Sequence, residues 1–374
     1  MQPTDLLPMA LDPRVDEVPD GIRKAIARMI ELHNTECLAF MRRMESNSVD
    51  AIVTDPPYFG VVDEEWDRQW KNEEHFLEWI GELCAEWQRI LRPNGSAYVF
   101  ASPKMAWGVE SEMRKRFNVL MSIAWNKANA GRGAQAEKEA MRNFWPGSER
   151  IIFAEHFGAD NMAKGEAGYV AKCDELRGFV FEPIRAYLAG EWERAGLTAK
   201  DANIATGSQM AGHYLTRVQW TLPTADKYRQ LQEYANRTGG EYLRTQYEDL
   251  RTQYEDLRTQ YEDLRRPFNV TPEVPYTDVW TFRAVQAYEG KHVCEKPIAL
   301  MEHIILASTK PGAIVFDPFT GSGSTGVACV LNGRKFIGCE MDKHWHGYAT
   351  KRIERAARQP RLFDISPTDE AEAA

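Results

Sequence analysis

Two short loops, one near each end of the chain, carry the side chains whose types and spacing could do chemistry. The first has the sequence Thr-Asp-Pro-Pro-Tyr at residues 54–58, and the second has Asp-Pro-Phe-Thr-Gly-Ser-Gly at residues 317–323. Each follows a short apolar run, residues 50–53 and 313–316, of the kind that forms a buried strand. The first loop is typical of a site that accepts hydrogen bonds from an amine, and the second is typical of a glycine-rich cofactor loop.

The proline-rich loop suits the exocyclic amine of a nucleobase, a poor nucleophile because its lone pair is delocalised into the ring. Pro56 and Pro57 fix φ and lack N–H donors, so the carbonyl of Pro56 can only accept a hydrogen bond. Asp55 offers a second acceptor, and two acceptors on one NH2 group bias its nitrogen toward sp3 geometry. Tyr58 can stack on the base, which must leave a duplex at a cost of a few kcal/mol. A strand-end Pro-Pro turn without chemistry is the alternative.

The glycine-rich loop would let the backbone approach a bound ligand closely at a helix N-terminus, through Gly321 and Gly323 beside Phe319. Glu340 ends the next predicted strand, where an acid can bind both ribose hydroxyls of a nucleoside. An acid there favours a cofactor with a free ribose and disfavours a 2′-phosphate. A Walker phosphate loop is excluded because no Gly-Lys-Ser/Thr follows, whereas a dinucleotide site stays open.

Together and in this order, the two loops resemble those of the S-adenosylmethionine-dependent amino-methyltransferases of DNA, in the β class, whose acceptor motif precedes the cofactor motif. The resemblance covers residues 31–157 and 275–357. It implies S-adenosyl-L-methionine as the cofactor, catalytic roles for the acceptor loop, and a place for Lys127 near the target base. The residues that it implies as cofactor contacts are Glu36, Lys296, Pro297, Asp317, Phe319, Gly321, Ser322, Gly323 and Glu340.

The alternation of predicted strands and helices indicates an α/β fold. The resemblance implies a Rossmann-like, mostly parallel sheet of about seven strands, with one reversed edge strand and an inserted helical target-recognition domain. The predicted division is an N-terminal extension (1–30, with a short amphipathic helix over 20–33), a catalytic half (31–157), the target-recognition insertion (158–280), a cofactor-binding half (281–357) and an acidic tail (358–374).

One part of the insertion is typical of a helix-turn-helix. Thr198 and Asp201 form a capping box that would start one helix. Gly207 would supply the turn, and Ser208 would cap a second helix over 209–217. That helix predicts DNA contacts by Ser208, Gln209, His213 and Arg217. An ordinary helical hairpin is the alternative.

The other part of the insertion is a perfect repeat, in which Leu-Arg-Thr-Gln-Tyr-Glu-Asp occurs three times from Leu243, Leu250 and Leu257. The Tyr and Leu residues recur at spacings of three and four, which predicts a heptad helix with one apolar seam. Over 241–266 such a helix would be roughly 39 Å long. We interpret it as a helix that contacts a partner, in a homodimer or on DNA; a solvated arm is the alternative.

Composition and charge narrow the classes of protein to which this chain could belong. The chain has 374 residues, is 43% hydrophobic and 27% charged, and carries a net charge of −9, so any DNA surface must be local. No apolar stretch reaches a membrane span, and the first residues lack the basic start and apolar run of a signal peptide. The predicted location is the cytoplasm of a bacterium or of a phage-infected cell, associated with the nucleoid. Six scattered cysteines without a CxxC pair predict reduced thiols and no metal site.

These observations lead to the hypothesis of a DNA adenine-N6 methyltransferase acting on a flipped base in double-stranded DNA. Asp at position 55 favours adenine, because the cytosine-N4 members of the family more often carry Ser there. Cytosine-N4 methylation stays open as an alternative, as do a non-catalytic helix-turn-helix regulator and a methyltransferase that acts on protein or RNA.

Overall fold

The computed structural model describes residues 29–61, 63–128, 146–156, 177–217, 219–269 and 276–358, together with residues 142 and 144. The strands are β1 (Ile30–His33), β2 (Val49–Thr54), β3 (Leu91–Ala101), β4 (Phe117–Asn126), β5 (Ser148–His156), β6 (Val279–Thr281), β7 (Ile314–Asp317) and β8 (Lys335–Cys339). The α-helices are α1 (Cys37–Met41), α2 (Glu73–Ile90), α3 (Ala106–Arg114), α4 (Glu182–Arg194), α5 (Ala199–Thr206), α6 (Ala225–Asn236), α7 (Tyr247–Leu264), α8 (Ile298–Ser308), α9 (Ser324–Leu331) and α10 (Lys343–Ala357).

All eight of these strands form one sheet in the order β1-β8-β7-β2-β3-β5-β4-β6. Every neighbouring pair is parallel except the two pairs that involve β5. The predicted α/β class with a mostly parallel sheet is confirmed. The strand count is eight instead of seven, and the reversed strand lies inside the sheet, between β3 and β4, instead of at its edge.

The two strands that sequence patterns did not reveal are the short outer strands β1 and β6. Residues 30–33 pair in parallel with β8, so they are not the end of a helix over 20–33; residues 1–28 lie outside the described part. The three residues of β6 pair with the far side of β4. Three or four residues are too few to separate a strand period from a helix period.

The parallel order of the strands brings the proline-rich loop and the glycine-rich loop together. Strand β2 lies beside β7, with Ala51 opposite Val315, and β7 lies beside β8, with Asp317 opposite Gly338. Because parallel strands end at the same edge of a sheet, the loops after β2, β7 and β8 meet there. Residues far apart in the chain therefore share one site.

Helices cover both faces of the sheet. Side chains on β2 alternate, so that Ile52 packs under α1, α2 and α3, while Ala51 and Val53 pack under α8, α9 and α10. Helix α2 begins where the Asn72 side chain accepts a hydrogen bond from the His75 N–H at 2.9 Å. Its buried face is one stripe at helical spacing, formed by Phe76, Ile80, Leu83, Cys84, Trp87 and Ile90.

Helices α4 to α7 form a separate packed unit with its own apolar core, called here the helical unit. The capping box predicted at Thr198 and Asp201 is present at the start of α5, and Gly207 ends that helix with φ 63°. The predicted helix over 209–217 is wrong, because only a 3-10 helix, Ala211–Tyr214, follows. The carbonyls of Tyr214 and Leu215 accept from Trp220 Nε1 and the Arg185 guanidinium at 2.9 Å, so they are engaged by tertiary donors.

The heptad helix is shorter than predicted and its seam is covered by the same chain. Helix α7 has 18 residues and spans about 27 Å instead of about 39 Å. Leu250 and Tyr261 are buried in the core of the helical unit, and the ring of Tyr254 stacks on Phe181 at 5.2 Å. Most of the apolar seam is therefore covered by the same chain, although Leu264 at its C-terminal end is 48% exposed; contact with a partner stays a prediction.

Boundaries of the predicted insertion also shift. Its predicted last residues belong to β6, which is part of the main sheet. Earlier in the chain than β6, Arg266 forms a buried ion pair with Glu155 of β5 at 2.8 Å. The chain therefore returns to the main domain directly after α7. The predicted insertion start and most of the acidic tail lie in residues 157–176 and 359–374, outside the described part. Within that part, none of the helices combines the length and the apolar character needed to span a bilayer.

Candidate active site

The ends of β2, β7 and β8 open into a cavity of about 550 Å³. Most of the residues predicted to act in catalysis or cofactor binding line it: Glu36, Asp55, Pro56, Pro57, Tyr58, Lys127, Lys296, Asp317, Phe319, Gly321, Ser322 and Glu340. Pro297 and Gly323 are not among the lining residues; each stands immediately before a helix, α8 and α9. The cavity thus unites the two loops predicted from sequence.

Asp55 is the central acid of the proline-rich loop. Its Oδ2 is paired with the Lys296 ammonium. Its Oδ1 is buried and accepts no hydrogen bond within the described part of the chain. Burial raises the pKa of Asp55 above its usual value, while the Lys296 charge and, more weakly, the nearby Tyr58 hydroxyl act in the opposite direction. One carboxylate oxygen is therefore held in place, and the other is left for a donor that the described residues do not supply.

Lys296 lies between two acids. Its Nζ is 3.4 Å from Glu149 Oε2 in addition to its pair with Asp55, and it lies 5.4 Å from the Tyr58 ring centroid and 5.2 Å from that of Phe100. Burial alone would lower the pKa of Lys296, but Asp55 and Glu149 outweigh it and raise the pKa. The ammonium is charged, and it balances two carboxylates in an apolar surrounding.

Glu149, at the start of β5, was not assigned a role from the sequence. Its carboxylate accepts from the Tyr58 hydroxyl at 3.0 Å and pairs with Lys127 Nζ at 2.5 Å. Burial opposes ionisation of Glu149, but the charges of Lys296 and Lys127 lower its pKa. Its sequence signal was its place within residues 31–157, which the family resemblance covers. Its position depends on the reversed direction of β5, which sequence patterns did not place.

Asp67, also missed from sequence, organises the proline-rich loop. This fully buried acid accepts from the backbone N–H of Tyr58 and of Val61, both at 2.6 Å. Its own carbonyl accepts from the N–H of Gly60 at 2.8 Å, where φ is 71°. The loop is thereby fixed from one side, which holds the Tyr58 ring against the cavity. The burial of Tyr58 and the neighbouring acids raise its pKa, so its hydroxyl stays neutral.

The glycine-rich loop has the backbone shape that its sequence predicts. Gly321 and Gly323 have φ of 51° and 84°. A Cβ on Gly323 would lie 3.1 Å from that of Ala349, so helix α10 packs directly on the loop. Asp317 is buried below it, accepting from the Thr325 hydroxyl at 2.6 Å; burial raises the pKa of Asp317 to about 7.

Glu340 closes the cofactor side of the cavity. Its two carboxylate oxygens accept from the N–H groups of Gly321 and Asp342, both at 2.8 Å. Partial burial raises its pKa, against the effect of these two backbone donors. Each oxygen keeps a further lone pair for a ligand hydroxyl.

Replacing Glu340 with alanine should weaken S-adenosylmethionine binding by about 1.5–3 kcal/mol, the size of hydrogen bonds to a charged group. Titration calorimetry measures this directly. Glu354→Ala, on the outer part of α10, is the matched control, since Glu354 is not among the cavity-lining residues. Unchanged cofactor affinity in Glu340→Ala would place the ribose contact elsewhere.

Glu36 has a structural task in addition to the cofactor contact implied by resemblance. Its carboxylate accepts from the N–H groups of Leu38 and Ala39 at 2.9 and 2.7 Å, which caps α1. Near it the cavity is lined by His292, which packs edge-on against Trp345 with centroids 4.5 Å apart. Burial lowers the pKa of His292 to about 4, so the imidazole is neutral there at pH 7.

The residues that line the cavity fit the cofactor implied by the resemblance, S-adenosylmethionine. Nine of the lining residues are acids and three are lysines, an acidic excess that suits a ligand with a cationic sulfonium and free ribose hydroxyls. The acids are Glu36, Asp55, Glu64, Asp67, Glu149, Glu295, Asp317, Glu340 and Asp342. Gly321 leaves room at the loop, since a Cβ there would come within 3.2 Å of His292. Within the described residues, no cluster of His, Cys, Asp and Glu could hold a metal ion. The cysteines in that part are free, with Cys37, Cys84, Cys329 and Cys339 buried and Cys294 half-buried.

Of the residues predicted to contact DNA, only Lys127 lines the cavity. Ser208, Gln209 and His213 lie in the helical unit, at the turn and 3-10 helix after α5. The Ser208 hydroxyl accepts from the Met210 N–H at 3.2 Å, a turn two residues long instead of a helix cap. Arg217 is paired with Glu182 at 3.1 Å. DNA contact by these four residues stays a prediction, without the recognition helix that motivated it.

Comparison with known proteins places these features in a family. The family model N6/N4 methyltransferase, described as DNA methylase, matches residues 49–351. The DNA adenine methyltransferase YhdJ of Escherichia coli (strain K12) is 27% identical over 327 residues, which are 86% of this chain and 82% of that protein. The type II methyltransferase M2.DpnII of Streptococcus pneumoniae is 25% identical over 348 residues, 87% of this chain and 90% of that protein. The crystal structure of the M1.HpyAVI–SAM complex is 20% identical and has a TM-score of 0.46, covering 87% of this chain and 99% of that chain.

Proposed function

Because the chain belongs to the N6/N4 DNA methylase family, we propose that it methylates the N6 amine of adenine in double-stranded DNA, with S-adenosyl-L-methionine as the methyl donor. The observation that carries this proposal is the buried Oδ1 of Asp55, an acceptor without a donor in the described part of the chain. A buried acceptor left unsatisfied costs free energy. It is satisfied when an amine of the substrate enters the cavity.

The chain's own residues define how the amine is received. The Asp55 side chain is 15% exposed, so an adenine must leave the duplex stack to reach it. Lys296 holds Oδ2, which leaves Oδ1 as the acceptor for one N–H of the amine, and the carbonyl of Pro56 is the proposed acceptor for the other. Glu149 fixes the hydroxyl end of Tyr58, which keeps the ring in position to stack on the base.

Bound S-adenosylmethionine supplies the electrophilic methyl group, and Glu340, Gly321 and Asp317 are the residues that would hold it. The amine loses one proton as its nitrogen becomes methylated. Asp55 Oδ1 is the atom placed to accept that proton, and its raised pKa favours the acceptance. Phe100, Trp125 and Tyr58 surround the ammonium of Lys296, which excludes water from the acceptor.

Adenine is favoured over cytosine by two observations. Asp stands at position 55, and the relatives that match most of this chain include the DNA adenine methyltransferase YhdJ. Cytosine-N4 methylation is the second candidate, because the family model spans both amines. A homodimer and a nucleoid-associated location in the cytoplasm also stay predictions. A dimer would need a surface beyond the seam of α7, whose Leu250 and Tyr261 are buried within the helical unit.

The direct test is methyl transfer from labelled S-adenosylmethionine to unmethylated duplex DNA, followed by mass spectrometry of the digested nucleosides. We expect N6-methyladenine as the product. N4-methylcytosine would establish the second candidate, and label found only in RNA or protein would refute the proposal. Asp55→Ala, purified in parallel, is the control for a contaminating methyltransferase.

A further inference from the structure

Helix α7 packs in the core of the helical unit along its length, and its C-terminal end also contacts the methyltransferase domain. At the N-terminal end, the helical unit binds the backbone that leads into the helix. The Leu243 N–H donates to Glu191, and the Thr245 N–H donates to the Tyr187 hydroxyl, both at 2.9 Å. The Tyr228 hydroxyl donates to the carbonyls of Leu243 and Thr245 at 3.1 and 2.9 Å.

The C-terminal end of α7 is held by the methyltransferase domain. Asn94 Nδ2, in β3, donates to the carbonyl of Asp263 at 2.9 Å, and Lys310, after α8, pairs with the carboxylate of Asp263 at 3.0 Å. Two residues after the helix, Arg266 is buried against Glu155 at 2.8 Å. Helix α7 is therefore a strut that the helical unit contacts from its N-terminal end as far as Tyr261, and that the methyltransferase domain contacts at its C-terminal end.

The three identical repeats do not occupy identical surroundings. Leu243 of the first copy is outside the helix, at φ 54°, whereas Leu250 and Leu257 of the next copies are helical. The tyrosines of the three copies meet different rings: Tyr247 meets Tyr228, Tyr254 meets Phe181 and Trp220, and Tyr261 meets Phe181. The contacts of the helical unit thus follow the seam from the first copy onward.

One added heptad would change the length of the strut and little else. Seven residues add about 10.5 Å along the axis and turn the far end by about 20°, so the seam stays in phase. A duplicated copy leaves the contacts at both ends of α7 unchanged, because the first copy, the last copy with its Asp263, and the residues after it are all retained. A helix without identical copies could not lengthen in this way without presenting new side chains to the helical unit.

We propose that the number of heptads in α7 is a ruler, which sets the distance between the helical unit and the catalytic cavity in steps of about 10 Å. This inference rests on the proposed function for its consequence on DNA. A step of that size equals about three base pairs, at 3.4 Å per base pair along one strand. The repeat number then sets the spacing between the flipped adenine and the bases that the helical unit meets.

The first test measures distance and needs no activity. The test uses a four-copy variant, in which residues 250–256 are duplicated, and a two-copy variant, in which they are deleted. Each variant is labelled at two exposed positions, Lys200 in the helical unit and Lys343 in α10. Distance distributions from spin labels should move in opposite directions for the two variants, by several ångströms and up to about 10 Å. A three-copy variant with Arg251→Ala and Thr252→Ala, two exposed positions, controls for composition. Identical distances in folded four-copy and three-copy proteins would overturn the ruler.

The second test reads specificity by sequencing the methylated sites of a host that expresses each variant. We expect the outer bases of the target to move by about three base pairs per heptad, with the methylated adenine unchanged. An unchanged target in a four-copy protein whose distance has shifted would overturn the link to DNA. If the three-copy parent methylates no DNA at all, the proposed function fails, while the distance test still decides the ruler.

Should the two-copy protein fail to fold, the four-copy protein decides both tests. It keeps every seam contact of the helical unit, whereas the two-copy protein loses one tyrosine from the pair that meets Phe181. The melting temperature of the four-copy protein should match that of the parent within a few degrees. A four-copy protein that melts far below the parent would show that the helical unit and the methyltransferase domain cannot be moved apart, and would overturn the proposal.

Discussion

Asp55→Ala should lower the turnover of methyl transfer by at least about 100-fold, the typical loss when a positioned polar group is removed. In the proposed mechanism, Asp55 Oδ1 is the side-chain acceptor for the target amine. S-adenosylmethionine binding should be nearly unchanged, because Glu340 and the glycine-rich loop, which are the groups proposed to hold the cofactor, remain. The loss should therefore fall on the maximal rate and not on cofactor affinity.

Single-turnover kinetics with saturating cofactor and duplex DNA measure this effect. Asp55→Asn is the matched variant of equal size, which keeps one acceptor oxygen and cannot take a proton. It should be strongly impaired as well, if proton acceptance by Asp55 matters. Turnover above a tenth of the wild-type value in Asp55→Ala would count against the assigned role.

Lys296→Met should both destabilise the protein and impair catalysis. Lys296 is 5% exposed and is the cation between Asp55 and Glu149. Removing one partner of a buried ion pair typically costs about 3–5 kcal/mol, since the remaining charge is left uncompensated. Here two like charges would remain close to one another, which adds to the cost.

The pH dependence separates this effect from simple loss of packing. Burial already raises the pKa of Asp55, and without Lys296 that pKa should rise further. A carboxyl whose folded pKa exceeds its unfolded pKa loses stability as the pH rises between the two values. The stability deficit of Lys296→Met should therefore be larger at pH 8 than at pH 5, and the rising limb of its pH–rate profile should shift to higher pH.

Chemical denaturation at the two pH values and a pH–rate profile measure these outcomes. Lys296→Arg keeps the charge and is the matched control, which should recover most of the stability at pH 8. An equal stability deficit at both pH values, or an unshifted profile, would mean that Lys296 acts only as a packed side chain.

Local sequence determined the features that depend on neighbours within a few residues. Pro56 and Pro57 fix their own φ, glycine at 321 and 323 permits left-handed backbone, and the capping box at Thr198 and Asp201 joins groups three residues apart. The apolar runs before the two loops likewise determine buried strands. That the two loops act together was implied by the family resemblance, and the parallel pairing of β2 and β7 is what brings them to one edge of the sheet.

Tertiary structure decided the features that depend on direction and distant partners. Glu149 reaches Tyr58 and Lys296 only because β5 runs against its neighbours, and strand direction is not written in a strand's own residues. Residues 209–217 were helical by local signals, yet Trp220 and Arg185 take the carbonyls that a continuing helix would use. The heptad pattern of α7 required that one face be buried but could not name the surface. Phe181 and Trp220 of the same chain supply it, because burial depends on the apolar area in contact and not on which molecule provides that area.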